Sequence, residues 1–258
     1  MKVDSYENGE PTWQDQSSAD ADKAAEFYSG LFGWEAPPPE DPEQFGGYRN
    51  ALLNGKKVAG LTPQFQPGPA YWAVYVNVDS AAEVSGRVTE NGGRVVVEPM
   101  EIGDFGSMAV YMDPTGAAFG VWQPGTHKGA EVRNEPGSVC WYELVTSDVE
   151  AAGAFYGAVF GWTAQAHGPA TGPGGYTELK LADRTFGGMM AKPPMMPAQV
   201  PSHWAVYFAV DDTDAAAAKV TELGGRVMMG PTDIPPGRFA VCADPTGATF
   251  NILKTDRV

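Results

Sequence analysis

The sequence predicts an α+β protein of four βαβββ units, paired in tandem into two domains. PTWQDQSSADADKAAEFYSGLFGWE at residues 11–35 recurs as SVCWYELVTSDVEAAGAFYGAVFGWT at residues 138–163. YWAVYVNVD at residues 71–79 recurs as HWAVYFAVD at residues 203–211, and the turn sequence DPTG follows each copy. Internal repeats are considered before other signals, because each copy is one supersecondary unit.

The first kind of unit opens with a strand and a capped helix. Residues 12–17 predict a strand. Strand alternation then puts one set of side chains on one face (Trp13, Asp15, Ser17) and the other set on the opposite face (Thr12, Gln14, Gln16). Asp20 is a suitable N-cap for the following helix, and Gly33 is a suitable C-cap. In the second copy, Asp148 and Gly161 occupy the same places. The aromatic residues at helical spacing between these caps predict a helix that packs on a sheet.

Further strands complete each unit. In the first unit, residues 48–62 predict a hairpin around an Asn-Gly turn, and residues 176–191 form its counterpart. The second kind of unit is predicted to contain strands at residues 71–79, 94–98, 108–113 and 117–123 and a helix at residues 80–91. In its last hairpin, proline and glycine favour a tight turn at DPTG.

These units give the predicted domain boundaries. The first domain spans residues 1–124 and the second spans residues 138–258, joined by a polar linker at residues 125–137. The first ten residues are polar, and we expect them to be frayed. The four units span about residues 11–65, 70–124, 138–192 and 202–258.

Composition excludes several classes of partner. The 258-residue chain has a formal net charge of −15, and an acidic surface repels phosphate backbones and anionic lipid. We therefore predict no nucleic-acid and no membrane partner. The N-terminal residues lack the apolar segment of a signal peptide, which predicts a cytoplasmic protein. Cys140 and Cys242 lie in apolar strand-like runs and are predicted to be buried free thiols.

Three pairs of motifs carry a resemblance to a known family. They are FYSGLFGWE and FYGAVFGWT, VTENGGRV and VTELGGRV, and DPTGAAFGVW and DPTGATFNIL. Together they resemble the vicinal oxygen chelate superfamily of glyoxalase I, bleomycin-resistance proteins and extradiol dioxygenases, over nearly the whole chain. The tandem arrangement is most similar to actinobacterial two-domain proteins labelled glyoxalase-like or hydroxylase. The resemblance implies that each pair of units curls into a cup, with the ligand inside and the helices outside.

The resemblance also implies where metal ligands would lie in the superfamily's enzymes. These positions fall on Trp13, Trp141, Ala73, Ala205, Gly120 and Asn251, near Gly60, and near Gly188 or Met189. Among them only asparagine has a side-chain oxygen, and it is a poor ligand for zinc or iron. The three histidines, His127, His167 and His203, lie at none of these positions. We therefore predict no superfamily-type metal site and no cofactor.

The cup faces supply the candidate ligand-binding residues. If the first-strand ligand position faces the cup, Trp13 and Asp15 face the first cup, and Trp141 and Glu143 face the second. Small residues at the ligand positions Ala73, Gly120 and Ala205 would leave room above the sheet. The alternative is that the same aromatic residues fill the cups as core. The predicted ligand-binding set is Trp13, Asp15, Tyr75, Trp122, Trp141, Glu143, Met189, Tyr207 and Asn251.

Asp15 and Glu143 are the candidate catalytic residues. An inward-facing carboxylate needs a partner, because an unpaired buried charge is costly. That partner could be a nearby Arg, Lys or backbone N–H. It could also be an amine or hydroxyl of the ligand, or the carboxyl group could act as a general base with a raised pKa.

Four methionines distinguish the second cup. Residues 186–203 hold Met189, Met190, Met195 and Met196 among prolines, and the first copy lacks them. Methionine clusters form adaptable apolar surfaces, which favours the second cup as the working site. The segment could equally be a surface loop that docks on its own domain.

Three functions remain open. The leading hypothesis is metal-independent binding or sequestration of a bulky aromatic or polycyclic small molecule of the natural-product or antibiotic type, in resistance or biosynthesis. The second is a glyoxalase-like lyase or isomerase, or a hydroxylase, with Glu143 or Asp15 as general base. The third is a protein-interaction module with filled cups and an exposed apolar patch. The protein is predicted to be a monomer or a homodimer.

Overall fold

The computed structural model describes residues 1–39, 41, 43, 45–167 and 175–255. Among these residues, no helix is both long and apolar enough to cross a membrane. Cys140 and Cys242 are free thiols. The elements are β1 (Pro11–Ser18), α1 (Ala21–Phe32), β2 (Arg49–Leu53), β3 (Lys56–Pro63), β4 (Tyr71–Asn77), α2 (Ala81–Glu90), β5 (Arg94–Ile102), β6 (Gly106–Met112), β7 (Ala118–Pro124), β8 (Val139–Thr146), α3 (Val149–Phe160), β9 (Thr163–His167), β10 (Tyr176–Leu181), β11 (Arg184–Ala191), β12 (His203–Ala209), α4 (Thr213–Glu222), β13 (Arg226–Ile234), β14 (Gly237–Ala243) and β15 (Thr249–Thr255).

Each half of the chain forms one mixed sheet. The first sheet has the strand order β2-β3-β1-β4-β7-β6-β5, and the second has β13-β14-β15-β12-β8-β11-β10-β9. The opening strands of the paired units lie side by side and antiparallel, as β1 with β4 and β8 with β12. Two units therefore share one continuous sheet, and the predicted fold class is confirmed. The additional strand β9 was not predicted.

The helix caps are those that the sequence predicted. The Asp20 side chain accepts a hydrogen bond from the Lys23 backbone N–H, and Gly33 ends α1 with a φ of 72°. Asp148 and Gly161 cap α3 in the same way, with a glycine φ of 75°. This left-handed conformation is accessible to glycine without steric cost, so the repeated caps fix the helix length in both copies.

The core lies between the two sheets and is one continuous cluster drawn from both halves. The rings of Trp72 on β4 and Phe208 on β12 lie 5.1 Å apart, measured between ring centroids. Phe27 on α1 contacts Phe250 of the second sheet at 5.9 Å. Each sheet thus buries its helix-bearing face against the other half. The opposite, helix-free faces point outward, and these are the two cups.

Two matching relays of hydrogen bonds cross between the halves. The Tyr28 hydroxyl donates to Asp244 Oδ2 at 2.9 Å and accepts from Trp72 Nε1 at 2.9 Å. The Tyr156 hydroxyl donates to Asp113 Oδ2 at 3.1 Å, and Trp204 Nε1 donates to it at 2.9 Å. Both aspartates open DPTG turns.

The DPTG turns therefore have a second role besides the predicted turn. Asp113 Oδ1 accepts from the backbone N–H of Thr115 and Ala117 within its own turn, at 2.8 and 2.9 Å. Its other oxygen binds the tyrosine of the opposite half. One carboxylate thus shapes the turn and joins the two halves.

The first ten residues correct the expectation of a frayed terminus. The Tyr6 hydroxyl donates to the Ala130 carbonyl at 2.6 Å, and Trp162 Nε1 donates to the Gly9 carbonyl at 2.6 Å. The segment is therefore attached both to the residues that follow the first sheet and to the second half. The polar composition of the segment did not predict these contacts, because the partners are distant in sequence.

We expect Tyr156→Phe to lower the free energy of unfolding by about 2 kcal/mol, because it leaves Asp113 Oδ2 and the Trp204 indole N–H without a partner. Urea unfolding followed by fluorescence and circular dichroism measures this, and the two signals should change together. The control is Tyr111→Phe, whose hydroxyl bonds only within the first half, to Ser85 and Ala81. A loss for Tyr156→Phe of under about 0.5 kcal/mol would contradict a role for the relay in stability.

Candidate functional site

The floor of the first cup is set by the register of the central strands. Asp15 on β1 lies opposite Gly60 on β3 and Ala73 on β4. Trp13 lies opposite Tyr75 on β4. Residues directly opposite each other share a face of the sheet. The register therefore places Asp15 on the cup face, beside Trp13 and Tyr75, as expected.

Asp15 is buried among hydroxyl and indole donors. Its Oδ1 accepts from Trp13 Nε1 at 2.7 Å and from the Tyr48 hydroxyl at 2.7 Å. Tyr75 also hydrogen-bonds to this carboxyl group. The residue is 9% exposed, and burial raises its pKa from 3.8 to about 6, against the lowering effect of these donors. The partners are thus neither the cation nor the backbone N–H that we considered.

The second cup repeats this arrangement around Glu143. Its Oε1 accepts from the Tyr207 hydroxyl at 2.8 Å, and Tyr176 also hydrogen-bonds to the carboxyl group. The Tyr176 hydroxyl accepts from Trp141 Nε1 at 2.8 Å. Glu143 is 8% exposed, and burial raises its pKa. In each cup, two tyrosines hydrogen-bond to one buried carboxyl group, and one indole N–H joins the same network.

Sequence reasoning missed Tyr48 and Tyr176, although a signal was available. Both occupy the same place in the repeat, the same distance after the strand that carries the carboxyl group. They lie at or beside β2 and β10, two strands away from that carboxyl group in each sheet. Strand order, which the sequence alone did not supply, is what brings them together.

Tyrosines pack against the glycines at three positions that the resemblance assigns to metal ligands. A Cβ added at Gly60 would lie 2.0 Å from the Tyr48 hydroxyl oxygen, and one at Gly188 would lie 2.2 Å from that of Tyr176. A Cβ at Gly120 would lie 2.2 Å from the Tyr75 ring. The expectation that a small residue leaves room above the sheet is therefore corrected at Gly120, where the Tyr75 ring occupies the space. Glycine is required because the tyrosines pack directly on the backbone.

A metal ion of the superfamily type does not fit these residues. In the first cup the corresponding side chains are an indole and three that lack any ligand atom: Trp13, Gly60, Ala73 and Gly120. The Trp13 indole N–H is already a donor to Asp15. Across the described ranges, no three His, Cys, Asp or Glu side chains come together in a way that could hold a metal ion. No catalytic step is therefore assigned to a metal.

Two further predicted residues lie on the cup faces. Asn251 on β15 lies opposite Tyr207 and Val241 and is 5% exposed. Trp122 on β7 lies opposite Asn77 of β4, two residues beyond Gly120. Asn251 occupies in the second cup the place that Gly120 has in the first.

Met189 lies on the opposite face, which corrects its inclusion in the ligand-binding set. It pairs with Leu144 in the register of β11 and β8, is 1% exposed, and packs against Gly153 of α3. Because successive strand residues point to opposite faces, the cup-facing position of Gly188 turns Met189 toward the helix. Met189 therefore belongs to the core and gives no reason to favour the second cup.

His127 enters the first cup, although the sequence placed it in a linker. Its ring centroid lies 4.4 Å from that of Trp13 and 5.5 Å from that of Trp122. Burial, with a smaller contribution from Lys57, lowers its pKa to about 4. The ring is therefore neutral at physiological pH.

The second cup is more open. Trp141 is half-buried, and no described aromatic ring contacts its indole. The ring of Phe239 lies 6.2 Å from that of Tyr207, and Met229, which pairs with Val241, is 39% exposed. Phe239 and the exposed Met229 therefore extend the second cup beyond Tyr207, toward the edge strand β13.

Comparison with known proteins places this arrangement in a family. The profile of the Glyoxalase/Bleomycin resistance protein/Dioxygenase superfamily matches residues 127–252, and that of the glyoxalase-like domain matches residues 14–122. A Mycobacterium tuberculosis protein named "Putative glyoxylase CFP32" is 44% identical over 259 residues, covering 98% of this chain and 97% of that protein. The chain belongs to the glyoxalase/bleomycin resistance protein/dioxygenase superfamily.

Three further proteins are similar to this chain over most of its length. The anthracycline biosynthesis protein DnrV of Streptomyces peucetius is 41% identical over 264 residues, covering 95% of this chain and 93% of that protein. The 2,3-dioxygenase LapB of Pseudomonas sp. KL28 superposes with a TM-score of 0.68 at 13% identity, covering 96% of this chain and 93% of that chain. The Mn(II)-bound glyoxalase of Novosphingobium aromaticivorans superposes with a TM-score of 0.66 at 17% identity, covering 96% of this chain and 82% of that chain. At these identities the solved structures show the common fold alone.

Asp15→Asn tests the cost of the buried charge. The folded state binds the Asp15 proton more tightly than the unfolded chain, because the pKa is raised from 3.8 to about 6. The stability that this proton contributes is fully present below about pH 4 and is lost as the pH rises through about 6. We therefore expect the free energy of unfolding of Asp15→Asn to rise by roughly 2 kcal/mol, relative to that of the unmodified protein, as the pH is raised from 4 to 7.

Urea unfolding at a series of pH values measures this difference. The control is Asp79→Asn, which removes an exposed carboxyl group and should follow the unmodified protein within roughly 0.5 kcal/mol at each pH. If the free energies of unfolding of Asp15→Asn and the unmodified protein differed by the same amount at every pH in this range, a buried carboxyl group with a raised pKa would be contradicted.

Proposed function

We propose that this protein binds a largely aromatic small molecule in its second cup, without a metal ion. The observation that carries the proposal is the half-buried Trp141 indole beside the buried Glu143 carboxyl group, on an open face. Tyr176 links the two, because its hydroxyl accepts from Trp141 and it hydrogen-bonds to Glu143. Small-molecule sites are commonly apolar and aromatic surfaces with a few placed polar groups.

The side chains around this centre favour a flat ligand. Trp141 and Tyr207 offer rings on the same face of neighbouring strands, and the Phe239 ring lies beside Tyr207. Offset stacking on such rings is favourable beyond the area that it buries. Met229 adds a flexible apolar wall at the edge. A polycyclic aromatic molecule would use several of these surfaces together.

The polar groups favour a neutral or cationic ligand with a hydroxyl or amine. Glu143, with its raised pKa, can accept a hydrogen bond when ionised and donate one when protonated. Asn251 offers both a donor and an acceptor on the neighbouring strand. The net charge of −15 disfavours an anionic ligand.

The relatives support a natural-product ligand. DnrV and the Streptomyces protein DauV, both named anthracycline biosynthesis proteins, each align with 95% of this chain. Anthracyclines contain a planar polycyclic ring system with hydroxyl groups and an amino sugar. Binding or sequestration of such a molecule, in biosynthesis or resistance, is the role we propose.

Calorimetric titration with doxorubicin, an anthracycline, and with menadione, a smaller planar quinone, tests the proposal. We expect saturable binding of at least one of them, weakened at least about tenfold by Trp141→Ala because a stacking surface is lost. Glu143→Gln should weaken binding of the amino-bearing ligand more than that of the quinone. The control is Phe65→Ala, at a residue that is 83% exposed. Absence of saturable binding for both ligands would reject the proposal.

A second candidate is an enzyme that uses a cup carboxylate as general base. The observation that favours it is the pKa of Asp15, raised to about 6, because a base is most effective when its pKa lies near the working pH. Burial raises the pKa of Glu143 in the same direction. A glyoxalase-like lyase or isomerase, or a hydroxylase, would follow from this reading.

Turnover of the hemithioacetal of methylglyoxal and glutathione tests the glyoxalase-like form of the enzyme. If the chain has this activity, Asp15→Asn or Glu143→Gln should abolish it with the fold retained, and the activity should rise with pH as the carboxyl group ionises. No turnover by the unmodified protein, assayed with and without added divalent metals, would reject this form.

A further inference from the structure

We infer that His127 occupies the first cup in place of a ligand, so that the protein binds one aromatic ligand per chain, in the second cup. Removing the imidazole would open a second site. The inference rests on the proposed function. It concerns how many cups can bind a ligand and which residue closes the first cup.

The His127 ring lies where an aromatic ligand would contact the first cup. It makes edge-on contacts with Trp13 at 4.4 Å and with Trp122 at 5.5 Å between ring centroids. These are the distances and angles that aromatic pairs prefer. The two indoles are only 4% and 9% exposed. Both tryptophans of this cup are therefore already covered by a residue of the chain itself.

The imidazole behaves here as an apolar ring. Its Nε2 is buried and has no hydrogen-bond partner, and the lowered pKa keeps it uncharged near neutral pH. An unsatisfied buried nitrogen costs free energy, so this nitrogen does not hold the ring in place. Ring packing against the two indoles is what favours this position.

The backbone around His127 is anchored independently of its side chain. The N–H groups of Gly125 and His127 donate to the Phe105 carbonyl at 2.8 and 3.1 Å, and that of Thr126 donates to the Asp104 carbonyl at 2.9 Å. Trp122 Nε1 donates to the His127 carbonyl at 2.9 Å. Substitution of the imidazole therefore leaves the segment in place and removes only the ring.

In the described part of the second half, no ring covers Trp141 as His127 covers Trp13. Alignment of the two DPTG turns places Leu253 at the position of Trp122 and Val258 at the position of His127. Val258 lies outside the described residues, and its side chain is not aromatic. Trp141, the counterpart of Trp13, is half-buried where Trp13 is 4% exposed. The ring that covers Trp13 comes from the segment between the two halves, which runs past the first cup.

Calorimetric titration with the probe ligands, doxorubicin and menadione, tests the inference through stoichiometry. We expect one site per chain in the unmodified protein and two in His127→Ala. Trp141→Ala should weaken the single site of the otherwise unmodified protein at least about tenfold, and the double variant His127→Ala/Trp141→Ala should keep one site of unweakened affinity. Two sites in the unmodified protein, or one in His127→Ala, would overturn the inference and leave the proposed function standing. No binding in either chain would reject the proposed function, and this inference with it.

A measurement on the unmodified protein covers the case in which His127→Ala does not fold. The His127 ring protons should carry large ring-current shifts in the NMR spectrum, because two indoles flank them, and assignment needs only single His→Gln variants at the three histidines. Saturation with the probe ligand should leave the His127 signals unmoved. Movement of these signals toward the positions of an exposed histidine would show the ligand entering the first cup and would overturn the inference.

Discussion

Burial of the two apolar sheet faces against each other is the interaction on which the other features of this protein depend. Because β4 and β12 meet at the centre, the aromatic residues of each helix pack into the opposite half. The tyrosine hydroxyls in that layer need partners, and the aspartates of the opposite DPTG turns provide them. The cups are the faces left over, so they point away from each other and cannot share one ligand.

The buried carboxyl groups in the cups are stabilised by neutral hydrogen-bond donors. Tyrosine hydroxyls and an indole N–H supply the hydrogen bonds. Burial beside a carboxylate raises the pKa of Tyr48, Tyr75 and Tyr207 well above their ordinary value. These hydroxyls therefore stay protonated and remain donors. The same burial raises the pKa of both carboxyl groups, that of Asp15 to about 6.

The two cups are equivalent in their floors and different in what covers them. The repeat reproduces the tryptophan, carboxyl group, tyrosines and glycine in each half. The segment that connects the halves, residues 125–137, runs past the first cup with His127 directed inward. A duplicated fold can thus keep two similar sites while its connection makes only one of them available.

The sequence by itself determined the four units, the capped helices, the turns and the cup-facing side of β1 and β8. These depend on repeats, strand alternation and local backbone chemistry, all of which act over a few residues. Only the tertiary structure decided that Tyr48 and Tyr176 reach the carboxyl groups, that His127 fills the first cup, that Met189 turns toward α3, and that residues 1–10 are anchored. Each of these depends on strand order or on a contact between residues far apart in the chain. No local pattern encodes such contacts, because they arise only when the two sheets pack.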